Sequence, residues 1–569
     1  MDGLWAYQPQ RKEMLLSEEE AAVMRQCDGR RTAREVAAAL RKEGGEGGER
    51  EVFALLEKLV RAGLIAWRLE VAPQLYPERE LRERLERIGE KGLRERCVGA
   101  LEELVEGRER VARAAGKVEE LEQALEGLEK SFTRLTGESA TRRGGQTYAG
   151  RTLVYEDCRR DCEVEMGSRL LEDLAQPLGI LFDAARWATA EVGRVMREKM
   201  RACWAELKQE ERGEIDCHLF SEYVISTVWA PGKRCTIFDE AVERFQEMWV
   251  RVLGRPCQSS LGNLAYPVEE VRGRAASIFP AGEAGWSLGR YVSPDLMIAA
   301  GSVEAIRRGD YLGILGEIHS GNSIATFQRL HGNMNELLQA THGDSCHETV
   351  VMRQRPRSMW IARMDNAFVL PHHWRYQFGD DPPNHPQCRP LPAGMLVARD
   401  TGSSVEVQAR DGSIRFDALE LFAGPLLDGA TLLLSEFRPR LAHMPRLTLG
   451  KLVIAREEWN VVAKDMEFLR EADRTQQFLE VRAWGRSLGM PRRVFVKSPV
   501  ERKPWLLDFD SPMLTAIFVA QMHKVEEGTV KIAEMIPELN DLWLIDGEGQ
   551  RFTSELRLVA RHDSSLPPP

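Results

Sequence analysis

The sequence nowhere approaches 18 uninterrupted apolar residues, which excludes a membrane span. Its opening, MDGLWAYQPQRKEM, has no apolar stretch and cannot act as a secretory signal. Cysteine is scarce: ten in 569 residues are too few for a disulfide scaffold and predict reduced thiols in the cytoplasm. Positive charge is not in excess. The 78 Lys+Arg against 88 Asp+Glu give a formal charge of −10, which excludes a bulk polycation of the histone type but leaves room for a local basic groove. A phosphate loop, a nucleophile elbow and a dinucleotide fingerprint are all missing, so ATP, serine-hydrolase and NAD chemistry lapse together. Cys158-x3-Cys162, Cys217-His218 and Cys346-His347 are isolated and lack zinc spacing, so no metal is expected.

A length of 569 residues predicts three or four domains. From Leu15 to Glu70 the local signals are dense. Ser17-Glu-Glu-Glu20 and Thr32-Ala-Arg-Glu35 are capping boxes, each opening a short helix, with a turn at Asp28-Gly29. Val52, Phe53, Leu55, Leu56, Leu59 and Val60 give a third helix its apolar face. Gly63 stops it, and Leu64-Ile65-Ala66-Trp67 reads as a strand. Three helices and a strand describe a winged helix-turn-helix. The segment that would enter a DNA groove carries Arg31, Arg34 and Arg41 beside Glu35, without a set of side chains for base edges, so no DNA partner is expected.

Residues 73–140 read as a helical hairpin. Val118, Leu121, Leu125, Leu128, Phe132 and Leu135 form one apolar seam, too short for an oligomerising coiled coil. A basic loop with Arg142 and Arg143 follows, and then Arg151 and an expected strand, Leu153-Val154-Tyr155. That strand ends in a burst of charge, Asp157, Arg160 and Asp161, which the residues alone leave open between a site and a solvated loop. Farther on, Tyr311 to Leu315 reads as a buried strand ending in Gly-Glu-x-His, with Glu317, His319 and then Asn322. Basic residues cluster in three later blocks: Arg353 to Arg363, Arg438 to Arg456, and Arg482 to Lys503. They include Arg446, Arg456, Lys497 and Lys503, and the clustering suits a phosphate backbone even in an acidic protein.

Taken in order, Leu135-Thr-Gly, Arg142-x5-Tyr148-x-Gly150-Arg-Thr-Leu-Val-Tyr-Glu-Asp-Cys-Arg-Arg-Asp161 and Ala185-Arg-Trp187 resemble the lantibiotic dehydratase family in its N-terminal, tRNA-dependent glutamylation domain. Leu315-Gly-Glu-Ile-His319 with Asn322, Pro445-Arg446, Arg456-Glu-Glu-Trp459, Phe495-Val-Lys497 and Asp508-Phe509 are similar to its later motifs. The resemblance implies an α+β architecture: a winged-helix leader-peptide recognition module at 1–72, a helical hairpin at 73–140, and a large mixed glutamylation-type domain at 141–569. In such a module a leader peptide adds as a strand to the wing, here at Leu64, Ile65 and Trp67.

The implied chemistry is attack of a precursor Ser or Thr hydroxyl on the ester of glutamyl-tRNA, the co-substrate, with no other cofactor. Asp157, Arg160, Asp161, Glu317 and His319 are then the catalytic candidates. Arg142, Arg143, Arg151, Arg446, Arg456, Lys497 and Lys503 are candidates for holding the aminoacyl-tRNA. Only about fourteen residues precede the winged helix, where the family has a longer stretch, and no elimination domain follows Asp508-Phe509. A separate elimination protein and an N-terminal partner are therefore expected, and a homodimer stays open. Two alternatives stay open as well: a peptide aminoacyl-tRNA ligase, and a non-catalytic leader-binding partner protein.

Overall fold

A computed structural model describes residues 4–6, 14–29, 31–44, 47–67, 69–71, 76–142, 152–155, 162–211, 213–229, 236–254, 263–280, 282–322, 334–345, 349, 351–353, 372–377, 389–438, 441–525 and 528–562. The chain mixes helix and sheet and divides into two compact units. One comprises Met1–Arg159, Arg197–Gly232 and Ala325–Gly424; the other comprises Arg160–Met196, Lys233–Ile324 and Pro425–Pro569.

The first unit begins with a short hairpin, Trp5–Ala6 against Met14–Leu15, followed by helices α1 (Glu18–Gln26), α2 (Ala33–Lys42) and α3 (Glu49–Arg61). Both expected capping boxes form. Ser17 accepts from the Glu20 amide while Glu20 accepts from the Ser17 amide, and Thr32 and Glu35 do the same. These reciprocal bonds satisfy amides that a helix start leaves open, which is why the starts were readable from four residues each. Leu16, Ala21, Val23, Val36, Val52, Leu56 and Leu59 form the core of this module. Gly63, at φ 72°, closes α3 as expected.

The residues after Gly63 correct the sequence reading. Leu64 to Trp67 form no strand; Leu64 and Ile65 pack on the helical core and Trp67 stands 55% exposed. The only hairpin of the module precedes its helices, among the described residues. An apolar run satisfies helix packing as well as sheet packing, and among the described residues no strand pairs with this one. Leu153 to Tyr155 likewise form no strand: Leu153 and Val154 are bends and Tyr155 is irregular.

Helices α4 (Pro77–Glu86), α5 (Lys91–Ala114) and α6 (Val118–Thr136) follow. α5 and α6 pair antiparallel through Leu128 of the apolar seam, which is buried against Gly107, and through an Arg134–Glu103 ion pair. The unit also holds an antiparallel sheet, ordered Arg415–Asp417, Val405–Ala409, Leu396–Asp400, Ile215–Asp216. Helix α7 (Ser168–Glu210) contributes its second half here, with Arg197 on Asp417 and Arg201 on Asp400.

Among the described residues the second unit is built on two main sheets, with a short two-stranded one, Leu544–Ile545 against Arg551–Phe552, beside them in sequence. The larger runs in the order Leu556–Arg557, Tyr291–Ala299, Leu312–Ser320, Leu452–Ala455, Arg446–Leu449, Asn263–Tyr266, with Ala560–Arg561 also on Tyr291–Ala299. The expected strand at 311–315 thus extends to Ser320 and carries Glu317 and His319 within it. The smaller sheet runs His443–Met444, Glu458–Val462, Thr529–Glu534, Arg493–Ser498, Glu501–Asp508, all antiparallel. On one of its faces Trp459, Val494, Val496, Leu507, Val530 and Ile532 pack with Val481, Phe518, Val519 and Met522 from the helices Arg474–Ser487 and Pro512–Met522. Ala418–Ser435 has the length and apolarity to cross a bilayer, but 61% of it is buried inside the protein, as in a core helix.

Candidate functional site

In the larger sheet of the second unit, strand pairing sets Ser293 opposite His319 and a bulge lies at Pro294 to Leu296. The bulge brings Asp295 to the face His319 occupies, and the imidazole Nε2 lies 3.0 Å from the Asp295 carboxylate. Glu317, exposed, is 3.8 Å from the same nitrogen. Arg557, from the neighbouring edge strand, approaches Asp295 at 3.3 Å. Asp295 is almost fully buried and one of its oxygens has no hydrogen-bond partner. The Asp295 hydrogen bond, with the negative field of Asp295 and Glu317, raises the His319 pKa above its ordinary value against the opposing effect of burial. With Nε2 donating to the carboxylate, a neutral ring keeps Nδ1 free to accept a proton. Ser293 Oγ to the Gly321 carbonyl (2.7 Å) and the Ser320 amide to Thr431 Oγ (3.0 Å) fix the strand end beside the dyad.

The next strands assemble cations. Arg456, at the end of Leu452–Ala455, donates to the carbonyls of Leu315 (3.5 Å) and Ile536 (3.3 Å), and its Nε is buried without a partner. Burial lowers its pKa from the ordinary arginine value, opposed by the carboxylates of Glu534, Glu458 and Glu555. Arg438 donates to the Arg456 carbonyl at 3.2 Å and pairs with Glu458 at 2.7 Å. Arg446 is committed elsewhere: its Nε donates to Glu534 at 2.8 Å, a second nitrogen bonds the other carboxylate oxygen, and the Glu534 hydrogen bonds raise its pKa. Lys497 and Lys503 are exposed and make no ion pair among the described residues.

Within this unit, therefore, Glu317 and His319 stand together, and Arg456 touches the backbone of their strand at Leu315. Lys497 lies on the smaller sheet, and Arg446 is a bridge within the unit's interior. Asp157, Arg160, Asp161, Arg143 and Arg151 lie outside the described residues, and Arg142 is exposed just past α6. Sequence reading missed Asp295, Arg557 and Glu534. Asp295 had a signal, the one charged residue in the mostly apolar strand YVSPDLMIA. Among the described residues no three His, Cys, Asp or Glu side chains gather as a metal site.

In the first unit a cavity of about 460 Å³ opens beside α2 and α3. Val36, Phe53, Leu56, Ile65 and Trp67 line it, with Phe53 and Trp67 rings 6.4 Å apart. Arginines 31, 34, 84 and 87 also line it. Arg87 pairs with Glu35, Arg84 with Glu80 and Arg31 with Asp28, whereas Arg34 has no ion pair among the described residues. Of the three residues expected to meet a leader, Ile65 and Trp67 face this cavity and Leu64 packs on the module's core.

Residues 7–197 match the family model "Lantibiotic dehydratase, N terminus". No curated protein matches the chain. Among solved structures, the glutamylation domain of TbtB from thiomuracin biosynthesis aligns with a TM-score of 0.57 at 17% identity, over 98% of this chain and 68% of that one. The same domain bound to 5'-phosphodesmethylglutamycin aligns with a TM-score of 0.56 at 17% identity, with the same coverage. The tRNA-dependent lantibiotic dehydratase MibB from Microbispora sp. 107891 aligns with a TM-score of 0.57 at 14% identity, over 94% of this chain and 53% of MibB. The chain thus spans about half the length of MibB and shares these proteins' fold.

Proposed function

We propose that this chain, related to the lantibiotic dehydratases through residues 7–197 and through its fold, transfers the acyl group of an aminoacyl-tRNA, glutamate in the first instance, to a Ser or Thr hydroxyl of a ribosomally made precursor peptide. The observation that carries the chemistry is His319, held by Asp295 with one ring nitrogen left over. The acyl group arrives already activated as an ester. What the protein must supply is a base for the hydroxyl and a fixed positive environment for the donor.

In this reading His319 Nδ1 takes the hydroxyl proton as the peptide oxygen bonds to the ester carbonyl carbon. The carbon–oxygen bond to the terminal ribose then breaks, and His319 returns the proton to the ribose oxygen. Asp295 holds the ring and stabilises its protonated state, and Glu317 adds to that field. Arg456 cannot lose its charge in the working range, even with its pKa lowered, and stands beside the strand as a fixed cation. The leader sits in the cavity beside α2 and α3, an apolar floor lined with arginine, and packs in the groove rather than adding to a sheet edge.

The test is incubation of the full chain with precursor and glutamyl-tRNA, read by mass spectrometry. The expected product gains one glutamyl residue per modified hydroxyl without loss of water, and mild base releases it because the bond is an ester. His319→Ala lowers the rate by about 10²–10⁴-fold. A base-stable adduct would favour the ligase reading, in which the acyl group goes to an amine. Leader binding without any adduct would leave the peptide-binding partner reading, with Ile65 and Trp67 at the cavity as its observation.

A further inference from the structure

The smaller sheet of the second unit has one face packed on two helices and the other, among the described residues, without a helical cover, and this second face is not chemically neutral. Register places Glu458, Ala533, Phe495 and Leu506 in one row across four strands, and Asn460, Lys531 and Lys497 in the next. Phe495 and Leu506, directly opposite each other, are 36% and 37% exposed. In the second row Lys497 faces Lys531 across neighbouring strands, an arrangement that opposes two like charges and disfavours the empty sheet. Lys531 pairs with Glu458 at 2.7 Å, which Arg438 already holds, while Lys497 has no counter-charge among the described residues.

A cavity of about 650 Å³ lies over this row, lined by Arg438, Lys497 and Lys531 against Glu436 and Glu458. Ser498, whose buried hydroxyl has no partner, lines it too. Three cations against two carboxylates, with two lysines opposed, call for an anion. Phe495 and Lys497 share a face two residues apart, about 7 Å along the strand. An exposed ring beside a cation at that distance matches the alternation of base and phosphate in an unpaired nucleic-acid strand, where every base offers a face to stack on the ring.

The geometry points to this face as a docking surface for an unpaired RNA strand, with a phosphodiester between Lys497 and Lys531 and a base stacked on Phe495. The inference rests on the aminoacyl-tRNA reading and assigns the surface that holds the RNA end.

The test is fluorescence anisotropy of the full chain with a labelled single-stranded RNA, across a salt series, without precursor. Lys497→Ala, which removes an exposed side chain with no partner, should weaken binding about tenfold and reduce the slope of log affinity against log salt by about one. Phe495→Ala should weaken binding about tenfold and Phe495→Trp should restore it, a response that a purely structural phenylalanine would not give. Competition by polyglutamate as effective as that by unlabelled RNA would overturn the RNA assignment in favour of an acidic peptide. If the unaltered chain binds RNA and both alanine variants bind equally well, this surface is refuted and the tRNA reading stands. If the unaltered chain binds no RNA at all, both fall.

Discussion

Replacing Arg446 by alanine should damage stability far more than RNA binding. Glu534 is 5% exposed in its side chain and Arg446 28%. Its carboxylate receives two guanidinium nitrogens and the Glu457 amide at 2.9 Å. Among the described residues, the variant leaves that buried carboxylate the Glu457 amide as its hydrogen-bond donor and the Arg456 charge as its nearby cation. Breaking a buried pair by removing one member costs about 3–5 kcal/mol. The surviving amide bond and the access water gains through the truncated side chain place the expected cost near the lower end, about 3 kcal/mol. At roughly 2–4 °C per kcal/mol for a unit of this size, the melting transition falls by about 6–12 °C. Replacing both partners by leucine should recover most of the loss, because a well-packed apolar pair avoids the desolvation cost of two charges. The assay is thermal unfolding of the full chain and the two variants, with RNA anisotropy below the transition. A variant that melts within a degree of the parent yet loses RNA would show that Arg446 faces RNA and that the Glu534 bridge carries no stability.

Three further outcomes follow from particular contacts. Because Asp295 raises the His319 pKa, their contact stabilises the fold fully below the unfolded histidine value of about 6.5 and loses that contribution as pH rises through the folded value. The transfer rate, which needs the neutral ring, should climb over the same interval, and Asp295→Asn should move the climb to lower pH in single-turnover assays; an unmoved profile would remove Asp295 as the positioning residue. Gly285→Ala should destabilise by about 1–3 kcal/mol in denaturant titration, since a Cβ there would lie 2.1 Å from the Thr189 carbonyl oxygen, a backbone atom of α7 that cannot step aside. Trp67→Ala should weaken binding of the precursor leader to the full chain by about 1–2 kcal/mol in calorimetric titration, as loss of an aromatic anchor does; unchanged affinity would take the leader away from that cavity.

Legibility in the sequence followed the range of the interaction. The starts of α1 and α2 were readable because a capping box lies within four residues, and the end of α3 because one glycine adopts a left-handed backbone. Leu64 to Trp67 misled for the opposite reason. A strand needs a partner, and nothing local reports whether one is there. The Glu-x-His segment was visible as an unusual end to an apolar run, but the carboxylate that holds the His319 ring and raises its pKa is Asp295, 24 positions away, brought there through a bulge that period-two reading does not anticipate. Arg446 shows the converse. Its residue type suits a phosphate, and the carboxylate that claims it lies 88 positions on.

The opposed lysines of the uncovered sheet face carry a thermodynamic consequence. A fold that holds Lys497 against Lys531 is at its least stable when vacant, so any polyanion seated there contributes to folding as well as to binding. Occupancy at a hundred times the dissociation constant adds about 2.7 kcal/mol, enough to move a melting curve by several degrees. The apparent hardiness of a preparation then measures its cargo. Protein taken from cells and treated with nuclease should melt lower than the same protein untreated, and titration with RNA should return the difference.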